Sequence, residues 1–410
     1  MKRLPAIVAL VVVLTIALPA SPADAGASLC SFDAQSATVT VSIGGLGRLQ
    51  IYLVNGDEIY VSGQACGGAT TANTDTIVVN ASSSDGFDIL LATGPFAPGK
   101  TDEGDGSSEI EFEIFGGPVH LAITGSNGPD VILAGTGAAP SLTTTGSDGA
   151  LFDLNGGEAI QDADVSVAYT DLDTFESDGH GGADVFSGGG FAGAPAGAYV
   201  GPVYVLRGSA GDDVISPGLG TTGFYLGGSG TDTLSFAWLP ADCDAVLFEG
   251  HGQFFYPCDG ASFYPRFFER IVGHAGVDWL GGGANDETLI GAGGEDELFA
   301  TAGSDTMDGG AGRDLARFDN VGATTADLLT GQATGAFGTT SFARIEDLSG
   351  SPRDDLLIGD NRSNRLFGED GDDVLKGKGS LDTLDGGNGT DTCFPGAPGG
   401  WELLVDCEAP

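Results

Sequence analysis

The 410-residue chain carries 58 Asp and Glu against 15 Lys and Arg, a formal net charge of −43 at pH 7. Such a chain repels nucleic acid and anionic membranes, which excludes polyanion binding as its main task. It is not a disordered composition, since 41% of residues are hydrophobic and the acids are regularly spaced. A compact fold holding so many carboxylates asks for a hard divalent cation to offset their repulsion.

The first residues predict export. Lys2 and Arg3 precede an apolar run over residues 6–18, and small residues follow to Ala23-Asp24-Ala25. This is the layout of a secretory signal peptide over residues 1–25, with a retained N-terminal anchor as the alternative. No later stretch is long and apolar enough to cross a bilayer.

Residues 26–207 read as a β domain. Period-two alternation runs over 37–43, 47–53, 76–80 and 108–114, between Gly, Asp and Ser turns. No convincing amphipathic helix follows the leader, so the expected class is all-β. Degenerate nine-residue units, GSNGPDVIL from Gly125 and GHGGADVFS from Gly179, extend the pattern and give the segment the character of an irregular β-helix.

From residue 208 the pattern sharpens. GSAGDDVIS starts at Gly208 and GGSGTDTLS at Gly227. Five units run in frame over 273–317 and five more over 350–394. Most consist of a Gly-rich loop, an acid at the sixth position and a large apolar residue at the eighth. Between the blocks lie non-repeat inserts, 236–272 and 318–349, expected to form longer coils or flaps of the same solenoid. Residues 395–410 read as a C-terminal cap.

These units fit G-G-x-G-x-D-x-U-x. The chain thereby resembles the haemolysin-type, or RTX, calcium-binding repeat family over about residues 208–394. The resemblance implies a right-handed parallel β-roll in which two nonapeptides make one coil. Loops on one side would then stand 18 residues apart, with Ca²⁺ between them. The inward ladder would be Leu234, Leu280, Leu289, Leu298, Met307, Leu357, Leu366, Leu375 and Leu384, with Ala316 a smaller rung. Glycine permits the tight loop and leaves carbonyls bare, and Ca²⁺ takes oxygen ligands of both kinds.

The candidate ligands follow from the sixth position. Asp278, Asp296 and Asp314 share one side of the first block, and Asp355, Asp373 and Asp391 one side of the second. The opposite sides carry Glu287 with Asp305 and Asn364 with Asp382, and are expected to bind more weakly. Asp232 and Asp213 hold the sixth position in the upstream units. Arg353 and Arg362 replace glycine at the fourth position, which weakens the first two loops of the second block. Thin ladders and Gly-rich loops imply that folding is coupled to binding.

Six cysteines in an exported chain favour disulfides. Neighbour pairing, Cys30–Cys66, Cys243–Cys258 and Cys393–Cys407, is the simplest of several connectivities. The four scattered histidines read as loop or surface residues with no zinc site. The chain lacks H-E-x-x-H and G-x-S-x-G, and residues 26–206 hold only Arg48 and Lys100 as basic groups. The expectation is therefore an extracellular, non-enzymatic calcium-binding module, structural or adhesive, meeting cell-surface or matrix glycans or proteins. A secreted hydrolase or polysaccharide lyase with its site in the N-terminal half is the alternative.

Overall fold

The computed structural model describes residues 29–43, 48–81, 86–90, 111–115, 119–125, 130–137, 149–156, 167–169, 172–178, 180–182, 184–187, 204–217, 223–239, 243, 245–248, 263–319, 321–396 and 403–408. The expected leader, much of the unit at 125 and Cys258 lie outside them. Among the described residues the chain is all-β, without a helix, and no helix is long and apolar enough to cross a membrane.

Alternation decides the N-terminal coils. In Thr38–Ile43, Val39, Val41 and Ile43 are buried while their neighbours face outward. Ile77 and Val79 of Thr76–Ala81 stack on that strand in parallel, and Phe112 and Ile114 of Glu111–Phe115 stack on the next. One long sheet collects such strands from Cys30–Asp33 to Thr392–Phe394. A second sheet faces it over the N-terminal part, from Arg48–Val54 to Phe263–Arg266. A third runs from Ala245–Phe248 to Leu403–Val405. The first insert is thus where one wall replaces another. It supplies the last strand of the second sheet and the first strand of the third. Tyr204–Ala210 spans residue 207 and pairs on both sides within one sheet, so hydrogen bonding continues across that position.

The regular blocks coil with the expected period. In the third sheet Leu280 pairs with Leu298, and Leu298 with Ala316. In the long sheet Leu289 pairs with Met307, and Leu357 with Leu375. All ten residues of the expected ladder are at most 1% exposed. Three residues per strand leave one inward side chain per half coil, so each rung carries a large share of the core. Leu298→Ala should cost about 2–5 kcal/mol, because the stacked coils above and below restrict collapse into the cavity. Urea unfolding of the calcium-loaded chain would measure it.

The second insert is a flap of definite form. Thr324–Asp327, Gln332–Gly335 and Gly338–Ala343 make an antiparallel meander. Its last strand pairs with Thr306–Asp308 and its first with Leu356–Ile358. The chain steps ahead in the long sheet and folds back. In the third sheet Leu315–Arg317 passes directly to Asp347–Ser349. The insert therefore interrupts the repeat on one wall only.

Two of the expected disulfides join described residues, Cys30–Cys66 and Cys393–Cys407. Cys243 is also disulfide-bonded. Leu403–Val405 closes the third sheet on Thr383–Asp385. Leu403 and Leu404 remain largely exposed, so the cap seals the last coil through Cys393 and not by covering both walls.

Candidate metal centre

Each sixth-position acid lies at the turn into a strand, two residues before an inward apolar side chain. That offset buries it against the neighbouring coil, and Asp278, Asp296 and Asp314 are at most 1% exposed. The backbone N–H of Asp278 donates to Asp296 Oδ1 (2.9 Å), and that of Asp296 to Asp314 Oδ1 (2.9 Å). Asp314 N–H then donates to Glu346 Oε2 (3.1 Å). The same wall continues through Asn364, whose N–H donates to Asp382 Oδ1 (3.0 Å).

On the opposite wall the N–H of Asp355 donates to Asp373 Oδ1 (2.7 Å), and that of Asp373 to Asp391 Oδ1 (2.8 Å). Glu408 accepts from the Asp391 N–H at the end of this row. Glu287 N–H donates to Asp305 Oδ1 (3.1 Å) on the same wall before the meander. An upstream row links Asp184 N–H to Asp213 Oδ1 (2.8 Å), Asp213 N–H to Asp232 Oδ1 (2.9 Å) and Asp232 N–H to Glu269 Oε2 (2.8 Å). The best rows of the two blocks thus stand on opposite walls.

One carboxylate oxygen is committed to this ladder, and the fate of the other divides the candidates. Oδ2 of Asp213, Asp232, Asp296, Asp314, Asp373 and Asp391 is buried without a hydrogen-bond partner among the described residues. A methyl group added to Gly291 would collide with both Asp296 Oδ2 and the Gly309 carbonyl oxygen. Gly368 stands in the same relation to Asp373 Oδ2 and the Gly386 carbonyl, and Gly386 to Asp391 Oδ2 and the Asp406 carbonyl. In these three loops the first glycine therefore leaves a cradle on which a carboxylate oxygen and the next coil's carbonyl converge. Gly294 (φ +132°) and Gly312 (φ +151°) lie against carbonyls of the preceding coil where no side chain fits.

Other candidates are already satisfied. Asp278 accepts the His274 N–H at Oδ2 (2.8 Å), and His274 Nδ1 lies 2.7 Å from its Oδ1. His274 is in a loop as expected but is fully buried rather than at the surface. Thr301 donates its N–H and Oγ1–H to Asp305 Oδ2, both at 3.1 Å. Ser351 does the same to Asp355, and Thr324 N–H also donates to Asp355 Oδ1. The Asp360 N–H donates to Asn364 Oδ1 (2.9 Å).

Burial raises the carboxyl pKa values where the carboxylates stack. Desolvation, followed by the charges of Asp278 and Asp314, pushes Asp296 up to about 7. Asp373 rises to about 7 through burial and then Asp355 and Asp391, and Asp314 and Asp232 rise to about 6, chiefly through burial. A buried, half-satisfied carboxylate prefers a proton or a metal. No three His, Cys, Asp or Glu side chains gather around one point among the described residues. Any site here would combine one or two carboxylates with backbone carbonyls, a donor set that suits a hard cation.

Sequence reasoning missed Glu269 and Glu346 as members of the rows. Their signal was present, since each stands two residues before an inward apolar residue, Ile271 and Leu348, as Asp296 stands before Leu298. It also missed the donors His274, Thr301 and Ser351.

Stacked parallel coils with acidic Gly-rich turns define a β solenoid. The chain carries four copies of the RTX calcium-binding nonapeptide repeat, matched over residues 205–221, 281–316, 349–380 and 373–397. These repeats indicate calcium binding. Asp232 and Asp278 fall outside the matched residues and belong to the rows by geometry alone. A comparison with curated proteins finds none that matches.

Proposed function

We propose that this is a secreted calcium-binding module whose β-roll is completed by ions held between coils. Its ligands are Asp213, Asp232, Asp296, Asp314, Asp373, Asp382 and Asp391, together with loop carbonyls of adjacent coils. The observation that carries the reading is the set of buried, unpartnered Oδ2 atoms facing glycine cradles. Bound Ca²⁺ supplies the positive charge that these buried carboxylates otherwise lack. The roll is right-handed, as parallel strand connections strongly favour.

The leader at residues 1–25 directs the chain out of the cell, where calcium is abundant. The solenoid then serves as a structural or adhesive element at the cell surface or in a matrix, in contact with glycans or proteins. Its role is mechanical rather than catalytic.

Asp296→Asn and Asp373→Asn test the ligand assignment. Each keeps the acceptor for the neighbouring N–H but removes a charge. Each should raise the calcium concentration at the folding midpoint about tenfold, equivalent to about 1.4 kcal/mol. Circular dichroism across a calcium titration reads it, and unchanged midpoints in both variants would overturn the assignment.

A further inference from the structure

All but one of the described nonapeptide loops fall into two backbone states that differ at the second position; the exception is the Glu287 loop, where Gly283 is not left-handed and the Asn285 N–H donates to Glu287 Oε1 (3.1 Å). In one state, the second-position residue is left-handed: His180 (φ 67°), Ser209 (78°), Gly228 (128°), Ala292 (76°), Gly310 (98°), Glu369 (78°), Lys378 (80°) and Gly387 (91°). These loops carry Asp184, Asp213, Asp232, Asp296, Asp314, Asp373, Asp382 and Asp391 at the sixth position. In the other, the second-position residue is not left-handed and its N–H turns onto the sixth-position side chain. His274, Thr301, Ser351 and Asp360 do this to Asp278, Asp305, Asp355 and Asn364. In the loops of Asp213, Asp232, Asp296, Asp314, Asp373 and Asp391 a buried Oδ2 has no hydrogen-bond partner among the described residues.

Resting on the calcium reading above, we propose that the second-position backbone selects which loops take an ion. A left-handed residue turns its N–H away and opens the carboxylate to the cradle. Otherwise the loop caps its own carboxylate and takes none. Asp278, Asp305 and Asp355 are then structural caps rather than ligands. Their placement fits that role, since Asp278 begins the first-block row, Asp305 ends the row before the meander and Asp355 begins the second-block row. Calcium is confined to the loops of the first state.

A second observation supports the selection. Left-handed φ is unfavourable for residues with a Cβ, yet Ala292, Glu369 and Lys378 adopt it in loops of the first state. Backbone strain of this kind persists where a ligand contact repays it. Residue type alone does not decide the state, because Ser209 is left-handed and Ser351 is not.

Native mass spectrometry of the folded, calcium-loaded full chain tests the proposal by counting ions. Asp373→Asn should lose at least one ion relative to the unaltered chain. Asp305→Asn and Asp355→Asn should retain the full count. Should those caps prove necessary for folding, Thr301→Val and Ser351→Ala remove only the side-chain donor and should also keep the count. Ala292→Pro cannot become left-handed and should lose the ion at Asp296. Loss of an ion from Asp305→Asn, Asp355→Asn or the donor variants would overturn the loop rule and leave calcium binding intact, as would a full count in Ala292→Pro. An unaltered chain that holds no calcium would overturn both.

Discussion

Removing calcium with EGTA should abolish the ordered roll over residues 263–408 and leave an expanded chain. The reason is quantitative. An ion at 100 times its dissociation constant stabilises the folded state by about 2.7 kcal/mol per site. Four such sites, at Asp296, Asp314, Asp373 and Asp391, would contribute about 11 kcal/mol, comparable with the whole net stability of a typical domain. Against this stands a core of one inward side chain per short strand and loops whose glycines lose much entropy on ordering. The N-terminal coils should resist chelation better. There Val39, Val41, Ile77, Val79, Phe87 and Phe112 are buried in strands of five or six residues, and Cys30–Cys66 ties the first coil. Far-ultraviolet circular dichroism should therefore show partial loss of β signal on chelation and recovery on adding calcium back.

The calcium-free chain should be more stable in mild acid than at neutral pH, the reverse of the usual trend for carboxylates in ion pairs. Asp296 and Asp373 titrate near 7 in the folded state and Asp314 and Asp232 near 6, against 3.8 for an ordinary aspartate. Between those values the folded state binds more protons than the unfolded one, so stability falls as pH rises. The favourable contribution is fully present below about 4 and is lost as pH rises through about 6 to 7. With calcium bound the carboxylates are held ionised, and acid acts by displacing the metal, so the slope changes sign. Thermal melts at pH 5 and pH 8, with EGTA or with calcium, would show the crossover. A calcium-free protein that gains stability from pH 5 to pH 8 would contradict the burial argument.

The regular half of the molecule was legible because its constraints are periodic. One apolar residue in nine must face inward, and Leu280, Leu298, Leu366 and Leu384 do so in one wall. The resemblance to the RTX repeats implied the 18-residue coil, and with it the grouping of Asp278 with Asp296 and Asp314. The substitutions Arg353 and Arg362 pointed to weak loops at Asp355 and Asn364, and both side chains accept N–H groups from their own loops. The meander at Thr324–Ala343 was not legible beyond an insert, because it uses short strands of Thr, Ala and Gly with no apolar period. Nor could sequence show that the strong rows lie on opposite walls, which depends on where that meander enters the long sheet. The state of each loop was hidden because residue type at the second position does not fix it, since Ser209 is left-handed and Ser351 is not.

Calorimetric titration of chelator-treated full-length chain with calcium addresses the central claim most directly. Binding of several ions should release heat together with a cooperative gain of β structure, and Asp296→Asn and Asp373→Asn should weaken both. Saturating calcium that produces neither heat nor structure would show that the buried carboxylates are met in some other way and that the roll does not depend on the metal.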